Sequence, residues 1–151
     1  MRTMKIAITI LSLLILVGCS YLPDRRYKGK VTNNDLVGTW ELESAIFDAL
    51  KRDGYPQDKN KTYQIKLNED GSCEFNTLMD VFQDVSYHDI NGEWSLTQTK
   101  DGRYGLYLHL HEEETDITLV FHFAKSGSSL IFWQYYSDPD MWDFFEYKKL
   151  E

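Results

Sequence analysis

Two cysteines, Cys19 and Cys73, are all that the 151-residue chain contains. That scarcity leaves no disulfide framework and no metal site of the Cys-x-x-Cys kind. A membrane-spanning helix is missing too. Ile6–Val17 is almost wholly apolar, but it falls short of the ~20 residues that cross a bilayer. Basic residues are scarce beyond the N-terminal region. From Asp35 onward, 10 Lys and Arg face 23 Asp and Glu, a formal charge of −13. A domain so acidic repels phosphate backbones, so nucleic acid is not an expected partner. No Gly-x-Ser-x-Gly elbow occurs, and the carboxylates show no pattern specific to acid–base work. No catalytic constellation stands out, and the expected role is binding.

What is present begins with the first residues. Arg2 and Lys5 precede the short apolar run, and small residues end it. A basic start, a short apolar middle and a small-residue end describe a secretory signal. Leu16-Val17-Gly18-Cys19 resembles a bacterial lipobox. That resemblance implies cleavage after residue 18 and a diacylglycerol on the Cys19 thiol. The acylated Cys19 is then the new N-terminus and a membrane anchor. Each acyl CH₂ buried contributes about 0.8 kcal/mol, so two or three chains hold firmly. Ser20, in place of an aspartate, resembles the outer-membrane class of proteobacterial lipoproteins. With Cys19 acylated, Cys73 has no partner. It lies two residues before Phe75, on the same face of a strand, among acids that disfavour a thiolate. A buried structural thiol is expected.

Residues 19–34 carry Arg25, Arg26, Lys28 and Lys30 against one acid, Asp24, with no periodicity. This stretch reads as a flexible basic tether, whose charges either sit beside anionic head groups, at about 1 kcal/mol each, or serve solubility alone.

Residues 35–151 read as one domain, rich in aromatics that alternate with polar residues. Trp40 and Leu42 share a face, as do Tyr63, Ile65 and Leu67. Leu106, Leu108 and Leu110 alternate with Tyr107, His109 and His111, and Phe121 and Phe123 with Val120 and His122. This period of two marks half-buried strands. "NEDG", "TKDG", "EEET" and "KSGS" punctuate them as turns. "LIFWQYY" is apolar on both faces, so cover on both is expected. Eight strands with at least four tight connections predict an all-β fold, an eight-stranded antiparallel up-and-down β-barrel. Such a barrel is wide enough for side chains or for one small ligand. A two-sheet sandwich would need longer crossings. Two longer segments interrupt the pattern. In the first, Ile46, Phe47 and Leu50 fit a short helix or an extension of the first strand. In the second, Leu78, Met79, Phe82 and Val85 share a helical face. Both are expected over an opening.

"LVGTWEL", with Gly38 and Trp40, resembles the Gly-x-Trp signature that opens the first strand of lipocalins and other calycins. "EDGSCEF", "NGEWSL" and "SDPDMWDFFEYKK" follow in the order seen in bacterial lipocalin-like lipoproteins. The resemblance spans about Leu36 to Leu150. It implies a barrel with the tryptophan plugging one end. The C-terminal helix of longer lipocalins has no counterpart in this sequence.

Other sites are less favoured. His109 and His111 with the acids at 112–116 have zinc-like spacing, but they lie opposite the leucine face and are expected in solvent. A haem needs an inward histidine, and the alternating runs supply none; His88 has no assigned place. No cofactor or metal is expected. Met79, Phe82, Trp133, Tyr135 and Trp142 are the candidates for a ligand mouth or an exposed patch. Two functions follow. The first is a lipid-anchored envelope protein binding a small apolar ligand. The alternative is an envelope protein–protein interaction module, of inhibitor or immunity type, with a filled barrel. A void under residues 46–60 and 78–90 favours the first. A barrel packed by Trp40, Leu106, Leu108, Phe121 and Phe123 favours the second.

Overall fold

The computed structural model describes residues 25–55, 62–80, 85–111, 116–136 and 143–151. Eight strands close into a barrel: β1 (Gly38–Leu42), β2 (Gln64–Leu67), β3 (Ser72–Asp80), β4 (Val85–Gln98), β5 (Tyr104–His111), β6 (Asp116–Ser126), β7 (Ser129–Tyr135) and β8 (Phe144–Lys149). Each pairs antiparallel with its neighbours in sequence, and β1 pairs with β8 to leave no edge. This is the up-and-down barrel that the alternation predicts. Among the described residues two short helices accompany it, α1 (Asn33–Leu36) and α2 (Ile46–Arg52).

The register fixes the faces. Leu106 pairs with Phe121 and Leu108 with Leu119, and Leu106, Leu108 and Phe121 are fully buried. His109 and His111, one residue out of phase, are exposed. β2 and β3 behave alike: Ile65, Leu67, Cys73 and Phe75 face inward, with Lys66 and Glu74 outside. At turn positions the polar residues do what their chemistry allows. Asp70 Oδ1 accepts from the Ser72 amide at 2.9 Å, and Asn68 N–H donates to the Ser72 carbonyl at 2.9 Å.

Two glycines are structural. Gly38 has φ +134°, where side chains are disfavoured, and a Cβ there would meet Lys149 Cε at 2.8 Å. Gly92 lies where β4 and β5 approach most closely; its Cβ would stand 2.1 Å from the His109 carbonyl oxygen.

Two expectations are corrected. Leu78, Met79 and Val85 lie in strands and not on a helix. β3 runs to Asp80 and β4 starts at Val85, with Thr77 opposite His88 and Met79 opposite Ser86. A helix there would leave the ends of both strands unpaired, whereas the longer hairpin satisfies their backbone groups. His88 is therefore in β4. Next, the tether does not extend to Asn34. Arg25 Nη2 donates to Glu146 Oε1 at 2.6 Å, the Tyr27 amide donates to the Phe123 carbonyl at 2.7 Å, and Val31 is buried. The apolar Val31 and Leu36 gain more from the barrel than from water, so the segment packs across its end. Thr32 caps α1: its amide and hydroxyl donate to Asp35 Oδ2 at 2.8 and 2.7 Å, which holds the Asp35 carboxyl below its usual range. Trp133 and Tyr135, candidates for a mouth or an exposed patch, face away from the barrel interior.

Candidate functional site

Inside the barrel, aromatic rings fill the space beside Trp40. The Trp40 and Phe132 centroids are 4.6 Å apart, Phe132 stacks on Tyr147 at 5.1 Å, and Phe121 meets both Phe132 and Tyr147 edge-on. Burial raises the pKa of the Tyr147 phenol well above its ordinary value. Trp40, Leu106, Leu108, Phe121 and Phe123 are each no more than 1% exposed. Trp40 Nε1 donates to the Leu36 carbonyl at 2.7 Å, so α1 and the tryptophan close this end together. Gly38 opens β1, and Trp40 lies in the same strand with its ring in the barrel core.

The opposite end carries α2. Its Ile46, Ala49 and Leu50 are buried in the barrel core, the helical choice of the two expected for this segment. Past the helix, Tyr136 Oη donates to Asp53 Oδ2 at 2.9 Å and Arg52 Nη2 to Asp143 Oδ2 at 2.9 Å. Arg52, then Tyr136, lower the pKa of the Asp53 carboxyl. Burial, then the Asp53 hydrogen bond, raise that of the Tyr136 phenol. The contacts fasten α2 to the strand ends of β7 and β8.

The two halves of the outer surface differ. On β1–β4, Thr39, Gln64, Lys66, Glu74, Asn76 and Asn91 line a polar groove of about 290 Å³. Gln64 Nε2 donates to Glu41 Oε2 at 3.0 Å, and Lys66 pairs with Glu74 at 3.2 Å. On β5–β8, Trp133 lies against His122, Tyr135 and Phe144, each at 5.1 Å. Arg25 covers this cluster, its guanidinium 4.5 Å from the Phe144 ring centre and 5.7 Å from that of Trp133. Trp133 is 2% exposed, and its Nε1 is buried with no acceptor among the described residues. Tyr135 is 41% exposed and Val120 38%.

Of the candidates for a ligand mouth or an exposed patch, Trp133 and Tyr135 are the ones whose side chains are described. Trp133 and Tyr135 come together, but on the outer wall. Met79 is in β3 opposite Ser86, and its side chain lies outside the described residues. Phe82, Trp142 and Cys19 lie outside them as well. His109 Nδ1 is 3.1 Å from Thr118 Oγ1 and His111 Nδ1 is 3.0 Å from Asp116 Oδ1, each in solvent. Among the described residues, no three groups gather as metal ligands. The Cys73 thiol is buried, and burial, helped by Glu93 and Glu74, pushes its pKa up to about 12. Sequence reasoning missed the charge-poor outer wall of β5–β7. Its signal was available: the positions out of phase with the leucines hold Tyr, His, Thr, Val and Trp.

No protein-family model, curated protein or solved structure matches the chain.

Proposed function

We propose that this protein is a lipid-anchored lipoprotein of the bacterial cell envelope that works through the outer surface of a filled, calycin-type barrel. It binds and does not catalyse. The observation that supports this over an apolar-ligand carrier is the packing of Trp40, Leu106, Leu108, Phe121 and Phe123, all excluded from solvent and in contact through one core. A carrier needs a concave apolar site of some 300 Å³ or more. The polar groove on β1–β4 is the surface offered to an envelope protein, with Glu41, Lys66 and Glu74 as its charged groups. Anchoring rests on the lipobox-like Leu16–Cys19 and on the short apolar run before it. Ser20 favours the outer membrane in a Gram-negative host. Among the described residues no helix is long and apolar enough to cross a membrane.

Two measurements test the proposal. Cys19→Ala blocks acylation and leaves an unprocessed precursor; a variant that matures and partitions into membranes like the parent removes the anchor. Native mass spectrometry of the mature protein from its host envelope is expected to show a bound protein in defined stoichiometry. A reproducible apolar small molecule in its place restores the carrier reading.

A further inference from the structure

The outward positions of β5, of β6 from Thr118 to Ala124, and of β7 carry no Asp, Glu, Lys or Arg. The outward positions of β1–β4 include Glu41, Lys66, Glu74 and Glu93. In a domain with a formal charge of −13 this half is exceptional. It presents Val120 and Tyr135 to solvent, with Phe144 and Trp133 beside them. An exposed tyrosine and a half-buried phenylalanine beside an arginine suit a membrane–water boundary, where an amphipathic ring finds both apolar and polar surroundings.

The chain leads the anchor to the same face. Arg25 is seated on Trp133 and Phe144 and ion-paired to Glu146. Cys19 is six residues upstream in sequence. An extended chain covers at most about 3.6 Å per residue, so the acylated residue is held within roughly 20 Å of this cluster. A lipid anchored there brings the bilayer surface within reach of β6 and β7. Charge sets the tilt of the barrel on that surface. Lys125 over Tyr27 and Lys149 over Trp40 flank the end that α1 closes. At the other end of β5 and β6, Asp116 follows Glu112, Glu113 and Glu114 in sequence. An anionic bilayer attracts the first set and repels the second.

We infer that the charge-poor outer face of β5–β7, with Phe144 and the Arg25 laid over it, rests against the lipid surface to which Cys19 is anchored, so that the polar groove of β1–β4 points away from it. The inference rests on the lipid-anchor reading. It is tested with the mature, acylated protein in vesicles of phosphatidylethanolamine and phosphatidylglycerol. Val120→Cys, Tyr135→Cys and, on the opposite wall, Asn91→Cys each carry a nitroxide. Cys73 does not compete for the label, because its thiol is buried and its pKa is about 12. The labels at 120 and 135 are expected to lose most of their collisions with a water-soluble nickel chelate and to gain collisions with oxygen. The label at 91 stays in water. Vesicle-bound protein with all three labels equally wet overturns the inference and leaves the anchor intact. Shielding at 120 and 135 that persists in lipid-free Cys19→Ser protein means a second copy covers the face, which also overturns it. Protein that fails to bind vesicles removes the anchor reading and this inference together. Two labels on different strands guard against one substitution disturbing the aromatic cluster.

Discussion

Leu108 and His109 are adjacent in sequence and opposite in environment. Leu108 is fully buried between β4 and β6, paired with Trp94 and Leu119. His109 is exposed beside Thr118. A carboxylate at 108 is buried without a partner and costs several kcal/mol, against a reserve of about 5–15 kcal/mol in native domains. Leu108→Asp is expected to unfold or severely destabilise the protein. His109→Asp is expected to stay within about 0.5 kcal/mol, as surface changes do. Chemical denaturation of the two variants beside the parent checks this, and equal losses would mean the faces are misassigned. These two residues were legible because alternation has a sign wherever one face is polar. Trp133 was not. Ile131, Phe132 and Trp133 are consecutive and all buried, so the pattern in "LIFWQYY" carries no phase. Only the register of Phe132 against Tyr147 decides which ring turns inward. The cover over Trp133 comes from Arg25, a charge that reads as solvated until its aliphatic stem and flat head are seen against rings.

At the level of elements, strands announced by turn residues were readable. β2–β3 and β4–β5 turn at the predicted "NEDG" and "TKDG", with Gly71 and Gly102 amides donating to the Asn68 and Thr99 carbonyls. The β3–β4 hairpin was hidden. Leu78, Met79, Phe82 and Val85 have helical spacing, and no Gly or Pro marks the reversal. Short-range periodicity cannot register the partner strand, which here continues the ladder from Phe75–Ile90 through Asp80–Val85. The approach of β4 to β5 at Gly92 yields a separate prediction. Its Cβ would press on backbone, which cannot swing aside as a side chain does. Gly92→Ala is therefore expected to cost about 1–3 kcal/mol, in the range of overpacked cores. Thermal denaturation checks it; an unchanged midpoint would mean that β4 and β5 are farther apart than described. Tether and barrel also meet at this scale. Residues 25–31 look featureless in sequence because their contacts, to Phe123, Glu146 and Phe144, lie far along the chain.

For the whole molecule, the closed barrel follows from counting strands, because short antiparallel connections make neighbours in sequence neighbours in space. The candidate site was less legible. The sequence offered a list of large apolar residues, and a list cannot distinguish a lined pocket from a filled core or an outer patch. The volume inside an eight-stranded barrel is small enough for side chains to occupy, and Trp40, Phe121, Phe132 and Tyr147 pack together there. The proposed function therefore uses the outer surface. The most direct measurement on this point is a set of intermolecular NOEs between an added long-chain fatty acid and isotope-labelled methyl groups of the Cys19→Ser protein. With a filled barrel, the methyls of Leu106 and Leu108 give no contact to the fatty acid, whatever Val120 gives from the outer wall. Saturable NOEs from the fatty acid to Leu106 and Leu108 would place a ligand inside the barrel and contradict the account.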